Sequence, residues 1–587
     1  MIVHFIDKFN PHSAQVHFAC YDFDETFRRN PRFIDIKSII QEKTHSWLED
    51  VYQSHLKLSD QMAQRSFWWW ATPMSRFDAR PWGQEYIFKP LFFARALSEW
   101  IQTHPDQAQE IDVVGAHGLV ATYLREFEPA LQIQGEFSRT GPIPFFYLKS
   151  LLKSLAKLGS RAWFVLTRHL LVKRPIPYSR NVVISENVAG ASAAEGHRYF
   201  FGGIFDGLED FDISFASIMD YGCEPKPQRS SQGSGQPPRA FYWLDQICFT
   251  DWGRCIIISL KILWHSTQVA RDAVPCYIGG KTSRAFHHHF LLHELGRLPF
   301  FIALCSYYAA RRYFSKVPNA KVIFPYEEKG LERCVLRACA EFKVFSIGYL
   351  PHPQHHLLRS LKDSVSSCLA PKPSQYAACG HLYIEYLEKF AFKNPSQIHV
   401  WGSSKSEILD LGRDSFGQRM LSIGLLNSHP NELKVFRSWI ENHPELTQDV
   451  RYSIRLYKGV YSKELLDVCQ DLTSRFPNII ESHESWDDFI SRIDIAVFCA
   501  TSAGLIAVNK GCLAVHLFLD DFFDINPCFD KLEVMLSCKT SEDFTKRLEQ
   551  LKRLSKEEYF ALHEKQKGLV QSIFSPVRKD VIRKDLG

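Results

Sequence analysis

Two short segments of this chain place acids and hydroxyls where a strand hands over to a helix. In the first, Thr501-Ser502-Ala503-Gly504 follows the apolar run Asp494 to Ala500 and opens a helical stretch. Beyond the carboxyl end of a buried parallel strand, helix N–H groups face whatever anion binds there. Two hydroxyls and two small residues suit a phosphate or a carboxylate, and a plain helix cap at Thr501 or Ser502 reads equally well. In the second, Glu327 follows the strand-like AKVIFPY and Glu332 lies in the helix that comes next. A carboxylate over a cleft can take a proton from a hydroxyl. The alternative is that both, with Glu328, are first-turn acids favoured by the helix dipole.

Histidines offer two further sites. His352, His355 and His356 stand in PHPQHHLL, a loop-like stretch where they could contact a ligand or simply be solvated. His289 and His293 lie four apart beside Glu294, but the order is H-x-x-x-H-E rather than H-E-x-x-H. No third ligand is evident, so no metal site is assigned.

The elements that must hold these residues alternate. QIHVWG, RMLSIGLL, RYSIRLY, NIIES, DIAVFCA and CLAVHLF read as strands between helical segments, which argues for parallel βαβ units. Upstream, MIVHFID, VHFACYDF, Asp112 to Gly115, RNVVISE, AKVIFPY and KVFSIGYL also read as strands. RYFFGGIFDGLEDF reads as a turn entering a helix, and the Pro-, Gly- and Ser-rich stretch 221–240 as a disordered loop. At about 150 residues per domain, 587 residues allow two to four domains. The boundary is placed near LAPKPSQYAACG, giving an N-terminal domain 1–365 and a C-terminal domain 366–587 whose last long helix packs back across the seam.

A segment at 142–174 interrupts the alternation. Lys149, Lys153, Lys157 and Arg161 form a basic stripe among Phe and Leu residues, a pattern that suits an anionic membrane surface or a core-facing helix with a solvated basic face. The net charge of +5 is otherwise diffuse, so no nucleic-acid partner is expected. Cysteines without a C-x-x-C pair, several in apolar runs, point to free thiols in a reducing compartment. The first residues lack a signal-peptide pattern, and no stretch is apolar enough to span a bilayer, so a cytoplasmic location is expected.

The segment SWDDFISRIDIAVFCATSAGLIAVNKGCLAVHLF resembles the donor-site signature of GT-B glycosyltransferases, in particular bacterial transferases that use CMP-sialic acid or CMP-Kdo. FPYEEKGLERCVLRA is similar to the strand–YENxxWE–helix motif of bacterial surface-carbohydrate biosynthesis proteins. Tyr326, Glu327 and Glu332 fall on its positions, while Glu328 and Leu331 replace the usual Asn and Trp. IGYLPHPQHH resembles the GYQH segment that follows, with the histidine displaced to His352 or His355. FWWWATPMSRFDARP resembles the tryptophan-rich stretch of the same proteins through Trp69, Trp70, Pro73, Ser75 and Arg76. Two departures stand out. Tyr457-Lys458-Gly459 replaces a His-Pro pair, leaving Lys458 as the residue that could meet a phosphate, and Ile506 falls near an expected acid.

The resemblance implies an α/β, GT-B-like architecture of two Rossmann-type domains facing an interdomain cleft. It implies transfer of a sugar from a nucleotide-activated donor, a CMP-linked acidic sugar first, to a glycan or lipid-linked glycan of O-antigen, lipopolysaccharide or capsule type. Glu327 would act as base and Glu332 as its orienter. Thr501, Ser502, Ala503, Gly504, Lys458, His352 and His355 would hold the donor, with no cofactor or metal. Peripheral contact with the inner membrane would follow from a lipid-linked acceptor. A nucleotide-sugar epimerase or hydrolase of the same build, and a degenerate scaffold that only binds, are the alternatives.

Overall fold

The computed structural model describes residues 2–6, 16–19, 34, 36–66, 68–69, 85–107, 109–114, 118–135, 152, 155–156, 158–160, 162–163, 166–167, 176–186, 198, 200–208, 210–218, 240–271, 274–295, 300–327, 329–351, 371–386, 397–407, 420–427, 430–456, 463–499, 501–518, 528 and 531–587. Lys458, His352, His355, the loop at 221–239 and the four cations of the basic stripe lie outside them, as do Trp70, Pro73, Ser75 and Arg76.

The first part carries β1 (Ile2–Ile6), β2 (Val16–Ala19), α1 (Lys37–Arg65), α2 (Glu85–Thr103), β3 (Glu110–Val114), α3 (Gly118–Phe127) and β4 (Gln132–Gly135). Its strands form a parallel sheet of order β2-β3-β1-β4. Then come β5 (Asn181–Glu186), β6 (Ile213–Ile218), β7 (Ala240–Tyr242), α4 (Phe249–Arg271), a small hairpin of β8 (Cys276–Ile278) and β9 (Lys281–Ser283), α5 (Arg284–Leu295) and α6 (Phe300–Lys316). β10 (Lys321–Pro325), α7 (Gly330–Phe342), β11 (Phe345–Leu350), β12 (Gln375–Ala378), α8 (His381–Tyr386) and β13 (Ile398–Val400) complete a seven-stranded sheet. Its order is β13-β12-β11-β10-β5-β6-β7, and every pairing is parallel.

The last part contains β14 (Leu421–Asn427), α9 (Pro430–Asn442), β15 (Val450–Leu456), α10 (Lys463–Arg475), β16 (Ile479–Glu481), α11 (Trp486–Arg492), β17 (Ile495–Phe498), α12 (Ala503–Asn509) and β18 (Leu513–His516). They build a parallel sheet of order β16-β15-β14-β17-β18. These strands are near-continuous apolar runs because both faces are covered: Val497 and Val515 enter one apolar cluster, Ala496 and Phe498 the other. Three helices end the chain, α13 (Ser541–Lys552), α14 (Lys556–Ile573) and α15 (Lys579–Leu586).

Two sheets therefore share one winding. Numbered by appearance, the second and third sheets both run outward in two directions from a pair of central strands, β5 beside β10 and β14 beside β17. This is the Rossmann order, reversing at a switch point where ligands collect at the carboxyl ends of strands. The chain is α/β with two Rossmann-type sheets, GT-B-like as expected, and carries a further four-stranded sheet at its start.

Three expectations need correction. The boundary at 365 is too early: β12 pairs onto β11 and β13 onto β12, so the second sheet extends to Val400 and the seam falls between Val400 and Leu421. The span 1–365 is likewise not one Rossmann unit, since it holds the separate first sheet. Finally, the glycines of RYFFGGIFDGLEDF open no helix. Gly202 and Gly207 adopt positive φ (55° and 77°) in a turn that leads into β6.

The chain's end ties the two Rossmann sheets together. On α14, the Gln566 amide bonds both backbone groups of Ala514, at 2.7 and 2.8 Å, and Tyr559 Oη donates to Asp494 O. The chain then crosses: Ser403 N donates to Ser575 O and Arg578 N to Trp401 O. Gly402 is required here, because its φ is +80° and a Cβ would come within 2.1 Å of Pro576 O. On α15, buried Asp585 accepts from Trp401 Nε1 (2.7 Å) and Gln375 Nε2 (2.8 Å) and meets His399 Nδ1 at 2.9 Å. Lys579 Nζ donates to the carbonyls of Gly203, Ile204 and Asp206.

Candidate active site

β10 ends at Pro325, and the chain turns so that consecutive residues take opposite fates. Tyr326 goes down: it is 1% exposed, donates its N–H to Tyr349 O at 2.7 Å and packs edge-on to Tyr376. Gly348 on β11 makes the space, since a Cβ there would lie 2.9 Å from Tyr326 Cβ and from Pro373 Cγ. Glu327 comes up over the sheet edge, 8% exposed.

Glu332 holds that turn. Its Oε2 accepts from Glu327 N at 2.9 Å and Lys329 N at 3.0 Å, the reciprocal half of a capping box at the start of α7. A carboxylate here is also favoured by the helix dipole. Glu332 thus fixes the backbone that presents Glu327, and its own charge is directed at N–H groups. Lys329 Nζ lies 3.2 Å from Glu327 Oε2.

The cleft above sits at the switch point of the seven-stranded sheet. Ser185 at the end of β5, Ile218 at the end of β6, Pro325, Glu327, Lys329 and Phe200 are among the residues that line it. The Ser185 and Ser217 hydroxyls, register partners on β5 and β6, are buried and find no hydrogen-bond partner among the described residues. Buried hydroxyls are normally paired, so the one that lines the cleft, Ser185, is informative.

Toward the seam, Lys405 follows β13. Burial lowers its ammonium below the ordinary lysine value, while Cys379 and the negative charge of Glu327 oppose that shift. Its carbonyl accepts from Asn509 Nδ2 at 2.9 Å, and Asn509 ends α12. Neither Ser185 nor Lys405 was singled out from sequence. Ser185 sits within RNVVISE, where a polar residue at the end of an apolar strand was the available signal. Lys405 follows a strand that the misplaced boundary assigned to the other domain.

At the second switch point, Thr501 and Ser502 follow β17 as expected. Thr501 Oγ1 accepts from Ala503 N at 3.2 Å, so this hydroxyl caps, while Ser502 makes no side-chain capping bond. Ala503 is half-buried in the first turn. Gly504 serves packing: a Cβ would lie 2.2 Å from Phe498 Cδ1. Ile506, in place of an acid, packs against the core. His516 on β18 is buried, and desolvation holds its pKa down to about 4, so it is a neutral core group facing Ser537 Oγ at 2.9 Å.

His289 packs edge-on to Tyr123, and the His293 side chain lies outside the described residues. Among the described residues, no group of three or more His, Cys, Asp or Glu side chains is arranged to hold a metal ion. No described helix is long and apolar enough to cross a membrane.

No family model and no curated protein matches the chain. Solved structures similar in shape include the N-terminal domain of Candida albicans trehalose-6-phosphate phosphatase, at 12% identity over 71% of this chain and 98% of that one, with a TM-score of 0.41. The alpha,alpha-trehalose 6-phosphate synthase of Burkholderia multivorans matches at 13% identity over 70% and 98%, TM-score 0.41. MurG of Acinetobacter baumannii matches at 10% identity over 69% and 99%, TM-score 0.37. The fold assignment above rests on this chain's own strand orders.

Proposed function

We propose that the chain is a glycosyltransferase whose first Rossmann sheet receives the acceptor and whose second holds a nucleotide-activated sugar. The observation that carries this reading is the carboxylate of Glu327, buried beside Lys329 in a cleft at a switch point, with its backbone fixed by Glu332. Glu327 takes the proton of the acceptor hydroxyl as that oxygen bonds to the anomeric carbon. The bond from that carbon to the donor phosphate breaks, and the nucleotide leaves with the electron pair. Ser502, Thr501 and the start of α12, with Lys458, His352 and His355, form the donor side.

A CMP-linked acidic sugar as donor, and a surface glycan or lipid-linked precursor at an anionic membrane as acceptor, are the finer parts of the proposal. They are supported by the sequence resemblance. Stabilisation of the leaving nucleotide by helix N–H groups and side chains needs no metal. The test is a thermal-shift screen across CMP, UDP, GDP and their sugars, followed by nucleotide release with and without a glycan acceptor. Binding of a nucleotide-sugar with acceptor-dependent release supports transfer, and hydrolysis indifferent to acceptor points to the epimerase or hydrolase alternative. A folded protein that binds none of them would return the chain to a scaffold, the reading favoured by Ile506 and by the capping role of Thr501.

A further inference from the structure

Helix α4 presents an unusual outer face. Phe249, Ile257, Leu260 and Trp264 are 60%, 56%, 46% and 66% exposed and recur at helical spacing on one side. The opposite side, through Cys255, Ile262 and Leu263, is buried in the core. Arg254 and Lys261 are exposed along the flank of the apolar stripe. The helix's one acid, Asp251, is buried and paired with Arg312. Four large apolar side chains on one exposed helix face form a patch, which marks an interaction surface where scattered single ones would not.

A neighbouring segment extends the patch. Trp252 Nε1 on α4 donates to Ala162 O at 2.8 Å. In that segment Leu152, Leu155 and Trp163 are 57%, 40% and 67% exposed. By sequence, 142–174 contains Lys and Arg but no Asp or Glu.

We propose that α4, with the adjoining segment, forms a face that lies flat on an anionic lipid bilayer. Trp264, Ile257 and Leu260 enter the boundary between headgroups and acyl chains, and Arg254 and Lys261 meet lipid phosphates. Exposed aromatics beside cations, on a helix about 35 Å long, suit that boundary. Charge selects the lipid surface over a second copy of this chain. A two-fold contact through this face would set its cations against themselves. The inference deepens the membrane part of the proposed function by naming the helix that seats; it does not depend on the transfer chemistry.

The test is co-sedimentation of the full chain with phosphatidylcholine vesicles, with and without phosphatidylglycerol, at low and high salt. Binding should require phosphatidylglycerol and weaken with salt. Ile257→Glu/Trp264→Glu should reduce partitioning roughly tenfold or more. Arg254→Glu/Lys261→Glu should reduce it by a similar factor, most visibly at low salt. Unfolding temperature and nucleotide binding of both variants should match the parent, which separates this face from the cleft. The proposal is overturned if the parent ignores phosphatidylglycerol vesicles at low salt, or if folded Ile257→Glu/Trp264→Glu protein binds them as the parent does. Self-association of the parent that this variant abolishes would also overturn it, by assigning the face to a second copy.

Discussion

The two Rossmann sheets share a strand order and differ in what they leave unspent at their switch points. At the first, Glu327 is buried over the strand ends, and the Ser185 hydroxyl is buried without a partner among the described residues. At the second, Thr501 caps its own helix, Gly504 is consumed by contact with Phe498, Ile506 is core and His516 is a neutral buried ring. Among the described residues, one winding thus gives two edges: one where a carboxylate lines a cleft beside an unpartnered hydroxyl, and one where Thr501 and Gly504 serve their own helix and Ser502 makes no capping bond. The physical lesson is that strand order marks where a ligand can bind, whereas a buried hydroxyl without a partner among the described residues, as at Ser185, marks where a contact can still be made.

The sharpest way to break this contrast is Glu327→Gln, which keeps size and hydrogen bonding but removes the basic carboxylate. Transfer measured by nucleotide release should fall by about 10²–10⁴-fold, with nucleotide affinity near the parent's. Equal loss of both would place Glu327 on the donor side. Second in size is Thr501→Ala/Ser502→Ala. If these hydroxyls reach a nucleotide phosphate, affinity by calorimetry should weaken by about 1.5–3 kcal/mol. Unchanged affinity in a folded variant would leave them as a cap alone.

Both switch points were legible in the sequence, the contrast between them was not, and the parts that were missed have identifiable causes. β10, β11, β14 and β17 lie within apolar runs bounded by Pro or polar residues, so their register against the motifs could be read directly. β12 was missed although all four of its residues are buried, because QYAA is short and sits among Pro and Gly. That omission moved the domain boundary. β6 was missed because ISFASI interleaves serines, and both serines turn out to be buried, Ser214 against the Tyr313 hydroxyl of α6. The roles of Glu327 and Glu332 were open between base and cap. Three-dimensional contact shows Glu332 accepting from two backbone N–H groups, as a cap does, and Glu327 beside the Lys329 ammonium in a cleft, where its role as base is a proposal. Lys405 and Ser185 lie too far apart in sequence to be associated before the strands are ordered.

Two predictions test how far residues of the second Rossmann sheet serve its own packing, with His287 as a buried ring outside it. His516 is held to about 4 against an ordinary 6.5, as is His287 on α5, in both cases through burial. The folded value lies below the unfolded one, so unfolding takes up protons as pH drops from about 6.5 toward 4. At pH 5 each ring should remove about 2 kcal/mol of stability relative to pH 8, readable by denaturant titration, and His516→Gln should blunt that loss. Gly504→Ala should cost about 1–3 kcal/mol by forcing a methyl into the Phe498 ring. A Gly504→Ala protein of parental stability would mean that α12 stands off its strand and has room for a ligand.

The smallest expected effect sharpens the contrast most, because its two readouts carry opposite signs. Ser185 is 2% exposed and its Oγ has no partner among the described residues, so the folded protein bears an unreturned desolvation cost there. Ser185→Ala removes that cost along with the hydroxyl. If the serine is merely a packing residue, stability holds or rises slightly and turnover does not move. If the hydroxyl contacts an acceptor presented to Glu327, stability still holds or rises, but the acceptor KM should increase by roughly 2–10-fold, the net worth of about one neutral hydrogen bond. In that case kcat should change less than KM, because the lost contact exists before the proton moves. Ser217→Ala is the matched control: its hydroxyl is equally buried and unpartnered, in register with Ser185, but it is not among the residues lining the cleft. A KM effect at Ser217 equal to that at Ser185 would mean that the sheet responds to serine removal as such, and the assignment of polar readiness to the first switch point would fail.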